Sequence, residues 1–316
     1  MKVGIFVALA LVLVGGAMFT VALALNGWDL SSLSSVKYKT VTHEPSGDFD
    51  SIFVQATSAD VQILPSEDGN VKVVCTDAEN VNYDVSIADG KLTVVRVDAR
   101  KWYERIGIGF GAPAIKVYLP NEEYSLTVEL RTGDVEIPAE ISLKNACVTG
   151  STGNVRVSAS VSGMLSIDID TGNVFVFDNA VGALEVSNST GSISLSKVAV
   201  EGDVSLELST GDTGLADVTC TNLTSTGSTG GIEMENVIAS GKMSIKRSTG
   251  DVEFYSCDAA EIFMKTTTGD IEGSLLTDKI FMTKSSTGDI EVPRTTSGGV
   301  CDITTSTGDI EIEIER

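Results

Sequence analysis

The chain has 316 residues, and its 44 acidic side chains outnumber 22 lysines and arginines, so that its formal net charge is −22. A surface of this charge repels phosphate backbones and anionic lipid headgroups, which argues against nucleic-acid binding. Five cysteines are scattered singly without any Cys-x-x-Cys spacing, and this pattern argues against a disulfide framework or a zinc site.

Residues 1–25 predict a membrane-spanning helix. From Val3 to Leu25 the segment carries 23 residues without a charge, which is long enough to cross a bilayer. Trp28 follows at a position typical of an interfacial aromatic, and Lys2 on the short side predicts an inside N-terminus. The small residues in Ala22-Leu23-Ala24 leave a cleaved signal peptide open as the alternative. We therefore expect a single-pass protein of the cell membrane with an extracytoplasmic C-terminal domain, or a protein secreted after cleavage.

Residues 26–48 predict a juxtamembrane linker, and residues 49–125 predict an irregular β region that caps a longer array. Within that region, residues 57–63 resemble the repeat described below, with Ala59 in place of its glycine. Residues 88–91 (Ala-Asp-Gly-Lys) lie between two alternating segments and predict a hairpin turn.

Regular alternation stops at residues 99–114, where the chain carries its one basic and aromatic cluster. Aromatic and arginine side chains are the residues that most often dominate the binding energy of interfaces. The cluster therefore predicts a surface for an envelope protein, a glycan or a lipid headgroup. Alternatively, its aromatics cover the N-terminal end of the array. The candidate residues are Arg100, Lys101, Trp102, Tyr103 and Arg105.

A Thr-Gly repeat dominates residues 126–316. Ten copies recur from Thr132 onward at intervals of 19 or 20 residues, within variants of Ser-Thr-Gly-Asp-(Val/Ile)-Glu. A fixed period of this length is typical of a stacked repeat, in which each unit buries its apolar face only against its neighbours. The ten glycines are Gly133, Gly153, Gly172, Gly191, Gly211, Gly230, Gly250, Gly269, Gly288 and Gly308.

Apolar residues alternate on both sides of each glycine, which is the period of a strand with one buried face. Val135 and Ile137 follow Gly133, for example, and Leu126 and Val128 precede it. The sequence therefore predicts an all-β, single-domain parallel β-solenoid of about ten coils, about 48 Å long. It is expected to be right-handed, as parallel β connections usually are. Glycine at each corner predicts a tight turn with positive φ.

Stacking would place the acidic residue after each glycine in one ladder and the glutamate two residues later in another. Carboxylates about 5 Å apart repel each other, and they either acquire raised pKa values or recruit cations such as calcium. The alternative is that these acids cap the turns and hydrate one face, where Lys246, Lys265 and Lys284 offset part of the charge. No other cofactor is expected. The weak calcium candidates are Asp251, Asp270, Asp289 and Asp309.

The uniform coils predict a protein that is not an enzyme. Polysaccharide lyases and hydrolases need particular acids and bases in a cleft built by irregular loops, and short uniform coils leave little room for one. The only histidine, His43, lies in the predicted linker. An enzyme that acts on cell-wall polysaccharide is therefore the least favoured function.

The chain ends within the repeat, with alternating glutamates at Glu311, Glu313 and Glu315. Charges of this kind protect an exposed sheet edge against association. If they do not protect it, rods would stack end to end. The alternative function is therefore a self-assembling structural rod.

The chain resembles a bacterial domain-of-unknown-function family of putative adhesins that includes LiaG-like membrane-anchored proteins. The resemblance rests on the anchor with Trp28, on residues 50–63, on residues 115–120 (Ile-Lys-Val-Tyr-Leu-Pro) and on the repeated Ser-Thr-Gly-Asp-Ile-Glu-Ile. It covers nearly the whole chain, supplies no catalytic residue, and implies an envelope-associated β-solenoid linked to envelope stress or adhesion. We therefore expect a membrane-anchored extracytoplasmic surface for adhesion, sensing or scaffolding, with an envelope protein or a glycan as its partner.

Overall fold

The computed structural model describes residues 2–25, 27–28, 36–98, 100 and 111–315. Its helix, α1 (Lys2–Leu25), contains the window Ala8–Leu25 with a mean hydropathy of 2.4. This helix is long and apolar enough to cross a membrane, a property that it shares with signal sequences. The other regular elements of these ranges are strands, which confirms the predicted all-β class with one N-terminal helix.

The strands form two parallel ladders, because each turn of the chain passes along one face, bends at a glycine corner and returns along another. We call the ladder of strands that enter the corners the upstream face, and the ladder of strands that leave them the downstream face. Equivalent strands pair in parallel and in register on both faces. This is the architecture of a β-solenoid, and the predicted fold is confirmed.

Antiparallel strands cover the N-terminal end of the stack. The strands of this part are β1 (Tyr38–His43), β2 (Ser51–Ser58), β3 (Asp60–Pro65), β4 (Lys72–Ala78), β5 (Asn82–Ala88), β6 (Lys91–Val97) and β7 (Ala114–Leu119). β2 and β3 form a coil with Ala59 at its corner, and β6 and β7 pair with them in parallel. β5 then pairs antiparallel with β6, β4 pairs antiparallel with β7, and β1 pairs antiparallel with β4. Residues 38–43 of the predicted linker therefore form part of the cap.

The hairpin predicted at residues 88–91 is confirmed. It joins β5 to β6, and its central residues Asp89 and Gly90 have φ values of 52° and 74°. Positive φ at both central residues is typical of the tight turns that match the twist of a hairpin.

The regular array follows the cap. Its strands are β8 (Glu123–Thr132), β9 (Val135–Ile137), β10 (Ser142–Thr152), β11 (Val155–Val157), β12 (Ser160–Thr171), β13 (Val174–Thr190), β14 (Ile193–Val200), β15 (Val204–Thr210), β16 (Thr213–Cys220), β17 (Leu223–Thr229), β18 (Ile232–Thr249), β19 (Val252–Lys265) and β20 (Ile271–Leu275). Inward residues form continuous apolar columns, and Val135, Val155 and Val174 are neighbours in one buried column. Burial of each such side chain contributes about 1.5–3 kcal/mol, so each coil is stabilised mainly by its two neighbours.

Glycine is required at the ten corners of the Thr-Gly repeat for two reasons. The ten corner glycines have φ between 118° and 146°, a region that L side chains rarely adopt. In addition, a Cβ atom on Gly153 would lie 1.9 Å from the carbonyl oxygen of Gly133 in the neighbouring coil. The predicted corner conformation is confirmed, and the close approach of successive coils adds a steric reason.

The last two coils are reversed in space relative to the sequence. They consist of β21 (Lys279–Thr287), β22 (Ile290–Glu291), β23 (Gly299–Thr307) and β24 (Ile310–Ile314). β23 pairs with both β19 and β21, and β24 pairs with both β20 and β22. The C-terminal coil is therefore inserted between its two predecessors, and the expectation that residues 311–315 form the end of the rod was wrong. The copies are so similar that either order satisfies the same register.

Candidate functional site

The residue after each corner glycine takes part in a hydrogen-bond ladder along the rod. The carboxylate of Asp251 accepts a bond from the backbone N–H of Asp270 (2.9 Å), and Asp270 accepts one from Asp309 (2.8 Å). Asp309 in turn accepts one from Asp289 (2.7 Å). Aspartate or asparagine makes the same contact in other coils. These side chains therefore link neighbouring coils by bonds that each contribute about 1 kcal/mol.

The four calcium candidates thus lie in adjacent coils in the order Asp251, Asp270, Asp309 and Asp289, and the ladder occupies one oxygen in each of the first three. Within the described ranges, no group of three or more His, Cys, Asp or Glu side chains is arranged to hold a metal ion. Calcium binding therefore stays a prediction, and it would have to use the remaining oxygens of this row.

A column of glutamates runs beside the aspartates on the downstream face. In spatial order its members are Glu233, Glu253, Glu272, Glu311 and Glu291. Partial burial raises the pKa of Glu253, and the neighbouring carboxylates of Glu272 and Glu233 raise it further. The column makes an acidic stripe on the half of the rod that is distal to the cap, and it leaves that half attractive to cations.

The segment of residues 98–113, which we call the excursion, contains the basic and aromatic cluster and connects β6 to β7. β6 precedes it on the upstream face and β7 follows it on the downstream face, at the level where the neighbouring coil turns at Ala59. Insertions into repeats commonly carry the binding function of a solenoid. Of the predicted surface residues, Arg100 is described by the structure, whereas Lys101, Trp102, Tyr103 and Arg105 lie outside the described residues.

A chain of ion pairs fixes the start of the excursion. Arg96 contacts the buried carboxylate of Asp77 (2.7 Å) and that of Asp98 (3.4 Å), and Arg100 contacts Asp98 (2.8 Å). The Tyr83 hydroxyl donates a hydrogen bond to Asp77 (2.9 Å). The hydrogen bond from Arg100 holds the pKa of Asp98 well below its usual range. Arg100 therefore anchors the excursion, and its charge is partly used within the cap.

The other end of the excursion packs against the first strand of the cap. A Cβ atom on Gly111 would lie 2.5 Å from the ring of Tyr38, so the backbone passes directly over that ring. Tyr38 follows Trp28 by ten residues, and a fully extended chain of ten residues reaches at most about 36 Å. Both anchor points of the excursion therefore lie at the end of the rod that is tethered to α1.

The cysteines occupy environments unlike those of catalytic thiolates. Four of the five are buried, and Cys147 is half-buried. Burial raises the pKa of Cys75 to about 12 and that of Cys257 to about 11, whereas reactive cysteines have a depressed pKa. These positions suit cysteines that act as small buried side chains. His43 and Cys75 line a cavity of about 60 Å³ in the cap.

The structure adds a cleft that the sequence did not predict. It has a volume of about 810 Å³ and lies at the strand ends remote from the glycine corners. Phe49 and Tyr124 stack beside it with ring centroids 5.3 Å apart, and Asp48, Asp68 and Glu122 are among its polar residues. Three distant segments build this cleft, so no local pattern could reveal it.

A buried arginine is a second feature that the sequence did not reveal. The guanidinium of Arg247 donates hydrogen bonds to the hydroxyls of Thr213 and Ser225 (3.1 Å each). It occupies space that is available because Gly227 lacks a side chain. Burial lowers the pKa of Arg247 to about 10, against the opposing charge of Asp212. This polar cluster replaces part of the apolar core, and an outward arginine would have looked the same in the sequence.

A family model described as Toastrack DUF4097 matches residues 49–212 and 178–316. The crystal structure of a putative adhesin from Parabacteroides distasonis ATCC 8503 is 16% identical, and the match covers 76% of this chain and 98% of that chain with a TM-score of 0.51. At this identity the likeness shows the shared fold alone. No curated protein matches the sequence.

Two further crystal structures are similar over a comparable length. A putative lipid binding protein from Parabacteroides distasonis ATCC 8503 is 18% identical, and the match covers 76% of this chain and 98% of that chain with a TM-score of 0.49. A putative adhesin from Parabacteroides merdae ATCC 43184 is 19% identical, and the match covers 75% and 96% with a TM-score of 0.45.

Proposed function

The chain belongs to the Toastrack DUF4097 family, and from that premise we propose that it is a non-enzymatic protein of the cell envelope. In this proposal it is a membrane-anchored, extracytoplasmic β-solenoid whose surface serves adhesion, sensing or scaffolding. The observation that carries the proposal is the contrast between the repeat and its interruption. The repeated glycines and acids are used in corner packing and in bonds between coils, whereas residues 98–113, between β6 and β7, interrupt the repeat with a different sequence.

The charges of the chain support a binding role for this excursion. The rod carries most of the net charge of −22, and its distal downstream face bears the glutamate column. Within five positions, the sequence of the excursion carries Lys101, Arg105 and the aromatic residues Trp102 and Tyr103. Aromatic rings and basic groups together suit a glycan or an acidic patch of an envelope protein. The name of the Parabacteroides distasonis neighbour, putative adhesin, agrees with this proposal.

The anchor is the second part of the proposal. α1 is long and apolar enough to span a bilayer, and it precedes a domain with a strongly acidic surface, which suits a tethered extracytoplasmic rod. Intact-mass measurement of the protein purified from its native membrane tests this arrangement. Retention of residues 1–25 supports the anchor, whereas loss of that segment would make the protein a secreted one.

Capture by the excursion is tested with the full chain in lipid nanodiscs. Immobilised peptidoglycan and solubilised envelope proteins serve as the two probes. We expect the double substitution Trp102→Ala/Tyr103→Ala to reduce capture by one of them at least tenfold, with unchanged β-type circular dichroism. Tyr255→Ala is the matched control, because Tyr255 is an exposed aromatic within the regular array. Equal capture by both variants and the parent protein would remove the excursion as the binding surface, and absence of capture by the parent would remove the adhesion role.

A further inference from the structure

Both ends of the stack leave strand edges without a partner strand among the described residues. At the cap end the outermost strands are β5 on the upstream face and β1 on the downstream face. At the opposite end, which we call the free end, the outermost strands are β21 on the upstream face and β22 on the downstream face. Open edges present unpaired N–H and C=O groups that can pair with another strand.

At the cap end and at the free end, the last side chains of the apolar core columns are only partly covered. On the downstream face, register pairs connect Val41 at the cap end to Ile290 at the free end through one continuous column. Inside this column, side chains such as Ile271 are fully buried, whereas Val41 is 37% and Ile290 is 43% exposed. A further coil at either end would bury both.

The upstream face shows the same relationship. Ile87 in β5 and Phe281 in β21 are the two ends of another core column. Both side chains are only partly buried and pack against the core. The two ends of the rod therefore each present a partly buried apolar residue at the same position across the strand.

The outward side chains at the two ends of the upstream face also carry opposite charges. Asp84 in β5 and Lys284 in β21 end one outward column of the upstream face, and both are exposed. A second rod that continued the stack without a lateral shift would therefore place Asp84 beside Lys284. Opposite charges directly opposite each other stabilise strand pairing.

We propose that the free end of one copy docks on the cap end of a second copy, and that the rods join head to tail. β5 runs antiparallel to the strands of the regular array on its face, whereas β1 runs parallel to those on its own face. In the proposed contact, β21 would therefore pair antiparallel with β5, and β22 would pair in parallel with β1. Repetition of the contact produces a filament. The contact requires neither the excursion nor a foreign partner, so it goes beyond the proposed function and can fail independently of it.

Cysteine cross-linking tests the direction of the contact. The full chain is reconstituted in lipid vesicles as the single variants Asp84→Cys and Lys284→Cys, and a short bismaleimide is added to each and to their mixture. We expect covalent dimers in the mixture and none with either single variant. The parent protein is the control for its own cysteines, four of which are buried. Dimers with Lys284→Cys alone would show free ends meeting each other and would overturn the proposal, as would the absence of dimers from the mixture.

Charge reversal tests the same contact by a second measurement. Lys284→Glu is expected to weaken self-association of the detergent-solubilised full chain at least about tenfold by sedimentation, and Asp84→Lys in the same chain is expected to restore it. Lys246→Glu is the matched control, because Lys246 lies in the same outward column but is paired on both sides, inside the rod. An equal loss with both glutamate variants would indicate an effect of total charge and would contradict docking at the ends, and a monomeric parent at every concentration would do the same.

Discussion

Lys279 and Asp258 form an ion pair that crosses a coil. The Lys279 Nζ atom lies 2.5 Å from an Asp258 carboxylate oxygen, and the two side chains are 4% and 17% exposed. Asp258 belongs to β19 and Lys279 begins β21, whereas the strand between β19 and β21 is the inserted β23. Gly299 of that strand is the register partner of Lys279 and offers no side chain to block its path. The pair therefore clamps the inserted C-terminal coil between its neighbours.

Removal of the clamp is expected to loosen the free end. Lys279→Met leaves the largely buried Asp258 carboxylate without its partner, which should lower the free energy of unfolding by about 3 kcal/mol, the lower end of the range for a broken buried pair. Hydrogen exchange should accelerate most in β23 and β24. Urea unfolding and mass-resolved hydrogen exchange measure the two effects.

Two variants make this prediction specific. Lys197→Met removes a lysine from a pair with Asp178 at 3.9 Å in which both side chains are more than half exposed, and it should cost less than about 1 kcal/mol. Asp258→Leu combined with Lys279→Met should recover much of the loss, because no unpaired charge remains. Equal costs for Lys197→Met and Lys279→Met would contradict the clamp.

Alanine at a corner should be far more disruptive than alanine at another glycine. Gly153→Ala places a Cβ atom 1.9 Å from the carbonyl oxygen of Gly133 at a φ of 146°, so we expect a loss of at least about 3 kcal/mol from backbone strain and steric overlap. Gly214→Ala is the control, because nothing lies within 4 Å of an added Cβ there. Denaturant midpoints of the two variants measure the difference, and similar midpoints would show that the corner tolerates a side chain.

The aspartate ladder predicts a difference between amide and methyl replacements. Asp270→Asn keeps an oxygen that can accept the bond from the Asp309 N–H, whereas Asp270→Ala loses it and should cost about 1 kcal/mol. The same variants test calcium binding. If the row holds calcium, millimolar calcium should raise the melting temperature of the parent but not of Asp270→Asn, and a flat response of the parent would remove the calcium prediction.

Mild acid is expected to stabilise the rod. Burial and the carboxylates of Glu272, Glu233 and Asp251 raise the pKa of Glu253, so the native state binds a proton more readily than the unfolded chain. The stability that this proton contributes is therefore fully present below the pKa of glutamate in the unfolded chain, about 4.3, and it is lost as the pH rises through the raised pKa of Glu253. The depressed pKa of Asp98 acts oppositely, but only at about pH 4 and below.

Melting temperatures at pH 7, 6 and 5 measure this effect. Glu253→Gln should raise the melting temperature at pH 7 and flatten its rise toward pH 5, because the amide removes one charge from the column. Glu140→Gln is the control at an exposed glutamate outside the column. A parent protein whose melting temperature falls between pH 7 and pH 5 would contradict the prediction.

Only part of the candidate surface follows from local sequence. The excursion stands out because residues 99–114 interrupt the alternation, but its anchoring through Asp98 and Arg100 and its contact with Tyr38 depend on packing between distant segments. The cleft beside Phe49 and Tyr124 and the buried Arg247 gave no local signal. In each case, partners from other coils determine where the side chain goes.

The solenoid follows from the sequence alone, because a 19- or 20-residue period, alternating apolar residues and a corner glycine allow each coil to bury its core only against a neighbour. So does the apolar N-terminal helix. The order of the last coils was decided only in three dimensions. Copies with the same register fit next to one another in either order, and the contact of Lys279 with Asp258 across Gly299 joins β21 to β19 over the inserted strand. The free end is therefore β21 and β22, although the chain itself ends elsewhere.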